Sequence, residues 1–148
     1  MREKEYEICM EGLEIIGFPK EDYMPLKDYE SWRVAVLKYC KNTELDQINW
    51  MQKHMETDEV FVLLDGHCKL IVAGNGLEPE EFRAIEMKPH KLYNIKKGNW
   101  HNHILDQLGE VLIIENQNTT DDNSPIYHMT EADILAMKAV VTAYLELH

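Results

Sequence analysis

The sequence has few cysteines and no long hydrophobic run. The chain has three cysteines, which are Cys9, Cys40 and Cys68. Their number is odd, they lie far apart in the sequence, and no two of them form a CxxC pair. This argues against a disulfide framework and against a thiolate zinc site. No apolar run reaches transmembrane length, and the opening MREKEYE is charged where a signal peptide would turn apolar. We therefore expect a cytoplasmic protein in a reducing compartment.

Positive charge is also scarce. The chain has 15 Lys and Arg residues against 27 Asp and Glu residues, which gives a net charge of −12. A nucleic-acid binder needs a basic stripe to neutralise phosphates, and an anionic membrane surface would repel this chain. We expect neither partner. A length of 148 residues suits a single domain, 1–148, with a core that needs no disulfide or structural metal.

What the sequence does contain is a series of short apolar segments separated by turn residues. Such segments at regular spacing predict an all-β antiparallel sandwich or barrel. They lie at 32–39, 58–64, 69–73, 82–87, 92–95, 100–105 and 110–115. Asp65-Gly66 joins two of them and predicts a hairpin. The barrel core therefore covers about 32–115.

Helical patterns flank this core. Thr130 precedes a first turn with acidic residues, and apolar residues then recur at steps of three and four. This predicts an amphipathic C-terminal helix over about 131–147. A weaker pattern favours a short helix near Glu5–Ile16.

Several polar residues are predicted to project from strands into the apolar interior. His101 and His103 are two positions apart on one segment, so both face the same side. Glu59 shares a face with apolar residues of its own segment, and His54 lies just before it. Burying such groups is costly unless they are paired, hydrogen-bonded or bound to a metal.

These residues carry a resemblance to the cupin superfamily. Gln52-x-His54, followed by Glu59 and Gly66, resembles the first cupin motif, and Lys96-x-Gly98-x-x-His101 resembles the second. The resemblance implies a small single-domain jelly-roll barrel, the double-stranded β-helix of the RmlC-like proteins, with a C-terminal helix. The sequence departs from the motifs at three positions, which are Gln52, Lys96 and Leu105.

The resemblance also implies a metal site. His54, Glu59 and His101 stand at three of the four ligand positions, and Gln52 stands at the fourth. This set suits Mn, Fe, Ni or Zn and leaves coordination positions open for water or substrate. His103 is an alternative source of the missing imidazole. A site without metal is the other possibility.

A narrower resemblance is to ureidoglycolate lyase and its relatives. It rests on Lys53-His54, on Asp58-Glu59-Val60-Phe61 and on Gly98-Asn99-Trp100-His101, whereas Asn102 departs from that family's pattern. It implies a lyase or hydrolase acting on a small polar carboxylate. His54 or His101 would be the base, and Glu59 would hold an imidazole in one tautomer or act as the acid. The substrate-binding residues expected here are Lys53, Arg83, Lys97, Trp100, His103 and Tyr93.

Two further functions stay open at this point. One is a metal-dependent isomerase or dioxygenase on the same scaffold. The other is a cupin that binds a small, sugar-like metabolite without catalysis. The partner in each case is a small molecule. By analogy with other small cupins, which commonly pair through sheet edges, we also expect a homodimer.

Overall fold

The structure is a computed structural model that describes residues 6–147. The chain forms β1 (Tyr6–Met10), β2 (Leu13–Ile16), β3 (Asp22–Tyr29), β4 (Trp32–Lys38), β5 (Trp50–Gln52), β6 (Glu59–Asp65), β7 (Cys68–Val72), β8 (Arg83–Glu86), β9 (Leu92–Ile95), β10 (His101–Leu105), β11 (Glu110–Asn116), β12 (Ile126–His128) and α1 (Glu131–Leu147). Short 3-10 turns lie at Lys41–Thr43, Leu45–Gln47 and Asp121–Asn123.

Two antiparallel five-stranded sheets make up the body of the fold. One sheet has the order β3-β4-β11-β6-β9, and we call it the long sheet because most of its strands are longer. The other has the order β12-β5-β10-β7-β8, and we call it the short sheet. The expected mostly-β architecture with a C-terminal helix is therefore confirmed. Strands β3 and β12 lie outside the predicted core of 32–115 and each adds an edge strand to one sheet.

The apolar core lies between the two sheets. Alternation along each strand points one set of side chains inward, so the long sheet contributes residues such as Phe61, Val111 and Ile113, and the short sheet contributes Cys68 and Leu70. Sheets that pack in this way bury their inner faces against each other. One end of this intersheet layer is polar and forms the site described below.

Helix α1 covers the outer face of the short sheet. Its residues Met137 and Val141 are buried with Ile71, Ala73 and Trp100. The helix begins after Thr130, whose hydroxyl accepts a hydrogen bond from the Asp133 backbone N–H at 3.1 Å. The Asp133 carboxylate in turn accepts one from the Thr130 N–H at 3.0 Å. This reciprocal cap confirms the predicted helix start.

The predicted hairpin at Asp65-Gly66 is wrong, although both strands were predicted. β6 pairs with β11 and β9, whereas β7 pairs with β10 and β8. The chain therefore passes from one sheet to the other at this turn. Gly66 has φ +62° and lies so close to Leu108 that a Cβ would meet its backbone carbon at 2.4 Å. Gly66 therefore marks a sharp change of chain direction, but it does not show which strands pair.

The predicted helix near Glu5–Ile16 is also wrong. The segment forms the antiparallel pair β1 and β2, which makes a separate two-stranded sheet. The chain reverses at Gly12, which has φ +81°. That backbone conformation favours glycine and ends any helix at this point.

The outer face of the long sheet presents apolar side chains to solvent. We call this the outer apolar face, and it comprises Val34, Val60, Val62, Leu92, Leu112 and Ile114. Leu92 is 63% exposed and Ile114 is 38% exposed. Within residues 6–147, no helix is long and apolar enough to cross a membrane.

Candidate metal centre and its cavity

Three elements bring His54, Glu59 and His101 together at the polar end of the intersheet layer. His54 follows β5, Glu59 begins β6 in the opposite sheet, and His101 begins β10. β10 pairs with β5 so that His101 lies opposite Gln52. The Gly98 N–H also donates to the His54 carbonyl at 2.7 Å. The backbone therefore ties the two predicted motifs to each other.

The Glu59 carboxylate lies between the two imidazoles. His54 Nε2 is 3.0 Å from Glu59 Oε2, and His101 Nε2 is 3.2 Å from Glu59 Oε1. One ligand atom from each residue lies within 4.8 Å of the others. All three side chains are buried. Three of the four residues at the predicted ligand positions thus form one compact cluster.

The far nitrogen of each imidazole has its own partner. His54 Nδ1 is 2.7 Å from Ser124 Oγ, and His101 Nδ1 is 3.0 Å from the Asn99 carbonyl oxygen. Since a carbonyl only accepts, His101 Nδ1 carries a hydrogen and donates it. Metal-binding histidines are commonly held in this way by an acceptor on the far side of the ring.

The pKa values follow from this arrangement. Burial alone would raise the pKa of Glu59, but hydrogen bonds from His101 and His54 outweigh it and hold that pKa well below its usual range. Burial would lower the pKa of His101, but the hydrogen bond and charge of Glu59 raise it above the ordinary histidine value. The cluster therefore holds its negative charge on Glu59 and favours a positive charge beside it.

This donor set fits a divalent metal ion. Two imidazole nitrogens and a carboxylate are a common ligand set for non-haem iron and also suit Zn, Mn or Ni. Both Nε2 atoms and the carboxylate converge on one point, while both Nδ1 atoms are turned to other partners. These nitrogen and oxygen atoms are all hydrogen-bond acceptors when unprotonated, so they can lie this close only with protons or a cation between them.

The cluster opens into a cavity of about 380 Å³. That volume suits a small metabolite. Its described lining includes uncharged polar side chains from two connecting segments and from β5 and β10, namely Asn42, Thr43, Gln52, Asn102, Thr119, Thr120 and Ser124. The apolar part of the wall comes from Leu37, Trp50 and Ile113.

Some of the predicted site residues reach this cavity. Gln52, His54, Glu59, His101 and His103 line it. The Gln52 amide nitrogen donates to the Ser124 carbonyl at 3.0 Å and approaches Asp121 Oδ1 at 3.4 Å. Gln52 therefore holds the loop between β11 and β12 beside the site. The His103 ring has a buried Nδ1 with no partner among the described residues, and burial lowers the pKa of His103 to about 4.

The other predicted substrate-binding residues do not line the cavity. Lys53 is buried on the opposite side of its strand, where its Nζ lies 4.5 Å from the centre of the Trp100 ring. Lys53 and Trp100 both donate to the Gly76 carbonyl, at 3.0 and 2.9 Å. Alternation along the extended chain explains this, since Gln52 and His54 point one way and Lys53 points the other.

Arg83, Lys97 and Tyr93 also lie elsewhere. Arg83 is exposed and lies 3.6 Å from Glu81. The Lys97 backbone N–H donates to Asp58 Oδ1 at 2.9 Å. The Tyr93 hydroxyl accepts from the Lys88 N–H at 2.9 Å, and its ring packs against the intersheet core.

Sequence analysis missed a second polar cluster on the cavity wall, formed by Glu115, Tyr23 and Arg33. The Tyr23 hydroxyl donates to Glu115 Oε1 at 2.8 Å, and Arg33 Nη1 is 3.8 Å from the same oxygen. Burial, together with the charge of Glu59, raises the pKa of Glu115 to about 8. Alternation along β11 was the available signal, because Val111 and Ile113 face inward and Glu115 continues that face.

Comparisons with known proteins bear on the fold. No family model matches the chain, and no curated protein matches it. Among solved structures, Streptomyces PAC13 with uridine matches over 89% of this chain and 97% of that one, with 11% identity and a TM-score of 0.52. A ketoisomerase, QdtA from Thermoanaerobacterium thermosaccharolyticum in complex with TDP, matches over 76% and 75%, with 16% identity and a TM-score of 0.51.

The two sheets and these matches decide the fold. The chain has the cupin fold. A cupin-2 domain protein from Shewanella frigidimarina is also similar, at 20% identity over 68% of this chain and 85% of that one, with a TM-score of 0.47. The matches with PAC13 and QdtA, at 11% and 16% identity, show the fold alone.

Proposed function

We propose that this cupin is an enzyme that binds one divalent metal ion through His54, Glu59 and His101 and acts on a small polar molecule. The observation that carries the proposal is the convergence of three buried ligand atoms, with both Nδ1 atoms held by partners outside the cluster. The cluster borders a cavity of metabolite size. When bound, the metal supplies Lewis acidity to a substrate oxygen.

The substrate class that we propose is a small polar carboxylate, cleaved in the manner of ureidoglycolate. Breaking the C–N bond of a carbinolamide needs a base for the hydroxyl proton and an acid for the departing nitrogen. In a site without metal, His54 or His101 would be the base, and Glu59 would hold an imidazole in one tautomer or act as the acid. Arg33 is the only Lys or Arg side chain among the described cavity residues, so it is the residue best placed to meet a carboxylate.

A second candidate is a reaction on, or simple binding of, an uncharged polyhydroxylated molecule, as in an isomerase, a dioxygenase or a sugar-binding cupin. It is supported by the amide and hydroxyl side chains that line part of the cavity wall. It is also supported by the state of Arg33, whose guanidinium already donates two hydrogen bonds to the Asp28 carboxylate, at 2.8 and 3.2 Å. Neutral hydrogen-bonding groups recognise hydroxyls without an anion partner.

A substrate panel separates these candidates. The purified chain, loaded in turn with Mn, Fe, Ni or Zn, is assayed on ureidoglycolate and related 2-hydroxy acids, and on neutral sugars and catechols. Release of urea and glyoxylate, lost in His101→Ala, supports the lyase. Turnover of a neutral substrate only would replace the carboxylate with the second candidate. Ligand binding without any turnover would contradict the enzyme proposal.

We further propose a homodimer formed through the outer apolar face. Its six side chains carry no charge; Leu92 and Ile114 are exposed and the other four are half-buried. Apolar surface that reaches solvent in this way commonly marks an interface. The cavity of about 380 Å³ supports a small-molecule partner, and the net charge of −12 argues against nucleic acid or an anionic membrane. The unpaired Cys40 and Cys68 support a cytoplasmic location.

A further inference from the structure

The loop between β11 and β12 contains a serine whose hydroxyl lies against a proposed metal ligand. Ser124 is 2% exposed, and its Oγ is 2.7 Å from His54 Nδ1. The Ser124 hydroxyl also lies 3.1 Å from Asn123 Oδ1. The direction of these two hydrogen bonds decides whether His54 Nδ1 carries a hydrogen.

The partners of the Asn123 amide fix its orientation. Its Nδ2 lies 2.7 Å from Glu56 Oε2 and 3.0 Å from the Asn118 carbonyl, and both of these only accept. Its Oδ1 lies 3.0 Å from the Thr120 backbone N–H, which only donates. The oxygen and nitrogen of this amide are therefore assigned by three neighbours, Glu56, Asn118 and Thr120.

The direction of the two hydrogen bonds that join Asn123, Ser124 and His54 then follows. Asn123 Oδ1 has no hydrogen, so the Ser124 hydroxyl must donate to it. With its single hydrogen committed, Ser124 Oγ can only accept from His54. His54 Nδ1 therefore carries a hydrogen. Nε2, which lies 3.0 Å from Glu59 Oε2, would then offer its lone pair to a metal ion that takes the place of the hydrogen between Nε2 and the carboxylate.

We propose that Ser124, oriented by Asn123, is a positioning residue that holds His54 in its metal-binding tautomer. The inference rests on the proposed function, since it concerns the same metal site. It assigns to the 117–125 loop a role beyond forming the cavity wall: the loop sets the affinity of the site for metal. Acceptors behind metal-binding histidines act in this way by fixing the ring and raising its basicity.

The loop is held to β5 by more than this serine. The Lys53 N–H donates to the Pro125 carbonyl at 3.2 Å, and the Met55 N–H donates to the Asn123 carbonyl at 3.0 Å. Gln52 adds a side-chain bond to the Ser124 carbonyl. Ser124→Ala should therefore remove the acceptor behind His54 while the loop keeps its place.

The test is zinc titration of the full chain by calorimetry. We expect Ser124→Ala to bind one zinc ion about 10–100-fold more weakly than the native chain. Thr130→Ala is the matched control, because it also removes one hydroxyl that accepts a hydrogen bond, but at the start of α1. Its zinc affinity should equal that of the native chain. Equal affinity in Ser124→Ala would overturn the proposal.

A second measurement works whether or not zinc binds and whether or not the variant folds. In the native chain labelled with ¹⁵N at histidine, we expect a hydrogen on His54 Nδ1. A bare His54 Nδ1 would overturn the positioning role. If zinc does not bind but Nδ1 carries its hydrogen, the proposed function fails while the assigned hydrogen-bond chain stands, so the two failures are distinguishable.

Discussion

At the scale of single residues, Glu59 is the group on which both histidines depend. Its carboxylate faces His54 and His101 from one buried position. Replacing it with glutamine keeps the shape and one acceptor but removes the charge. We expect Glu59→Gln to lose at least about 100-fold in metal affinity, since losing only an outer partner of a ligand costs about 10–100-fold. Calorimetric titration with zinc measures this, and native affinity in Glu59→Gln would remove Glu59 from the ligand set.

The resemblance to the two cupin motifs selected His54, Glu59 and His101, and the fold brings these three side chains together. Their role as metal ligands stays a prediction. Glu115 was missed because a carboxylate at a strand end is usually solvated, although alternation with Ile113 placed it inside. Lys53 was selected as the neighbour of His54, but neighbours in an extended chain point to opposite sides.

At the scale of elements, the turn between β6 and β7 redirects the chain from one sheet to the other. Gly66 and Gly98 both have positive φ, but a Cβ at Gly66 would meet backbone at 2.4 Å, whereas at Gly98 it would meet nothing within 4 Å. We expect Gly98→Ala to cost about 1 kcal/mol of unfolding free energy from backbone strain alone. Gly66→Ala should cost clearly more, because Leu108 and Gly109 must move. Urea unfolding of both variants tests this, and equal costs would contradict it.

The start of α1 gives a prediction about pH. Burial alone would raise the pKa of Asp133, but hydrogen bonds from the Thr130 N–H, the Tyr127 hydroxyl and the Thr130 side chain lower it overall. A carboxyl with a lowered pKa in the folded state contributes stability above its unfolded pKa of about 3.9, and loses that contribution as the pH falls through the folded value.

We therefore expect Asp133→Asn to be less stable than the native chain by about 1 kcal/mol at pH 7, the usual contribution of such a hydrogen bond. The difference should shrink as the pH falls below about 4. Thermal unfolding from pH 3 to pH 7 measures it. A difference that stays constant across that range would show that the Asp133 charge has no part in the cap.

Elements were predicted better than their pairing. Composition and turn residues located most strands and α1, because those signals are local. The hairpin at Asp65-Gly66 was wrong because strand partners are decided by packing of the whole sheet. The segment 5–16 was mistaken for a helix although Tyr6, Ile8 and Met10 recur with the strand period of two and Gly12 divides the segment into two short pieces.

At the scale of the whole molecule, the outer apolar face is the surface that predicts self-association. We expect light scattering to give twice the chain mass of 17.4 kDa. Val62→Lys should give a monomer, because Val62 lies between Leu112 and Leu92 in that face. Lys69→Ala, on the short sheet, serves as the control and should stay dimeric. A monomeric native chain would contradict the proposed interface.

The central claim is that one metal ion is held by the histidines of the two motifs, and elemental analysis tests it most directly. The native chain, purified without a tag, is measured beside a His54→Ala/His101→Ala variant, both after incubation with Mn, Fe, Ni and Zn. We predict about one equivalent of metal in the native chain, as expected for a single site of this ligand set, and none in the variant. A native chain that retains no metal, or a variant that retains as much as the native chain, would contradict the account.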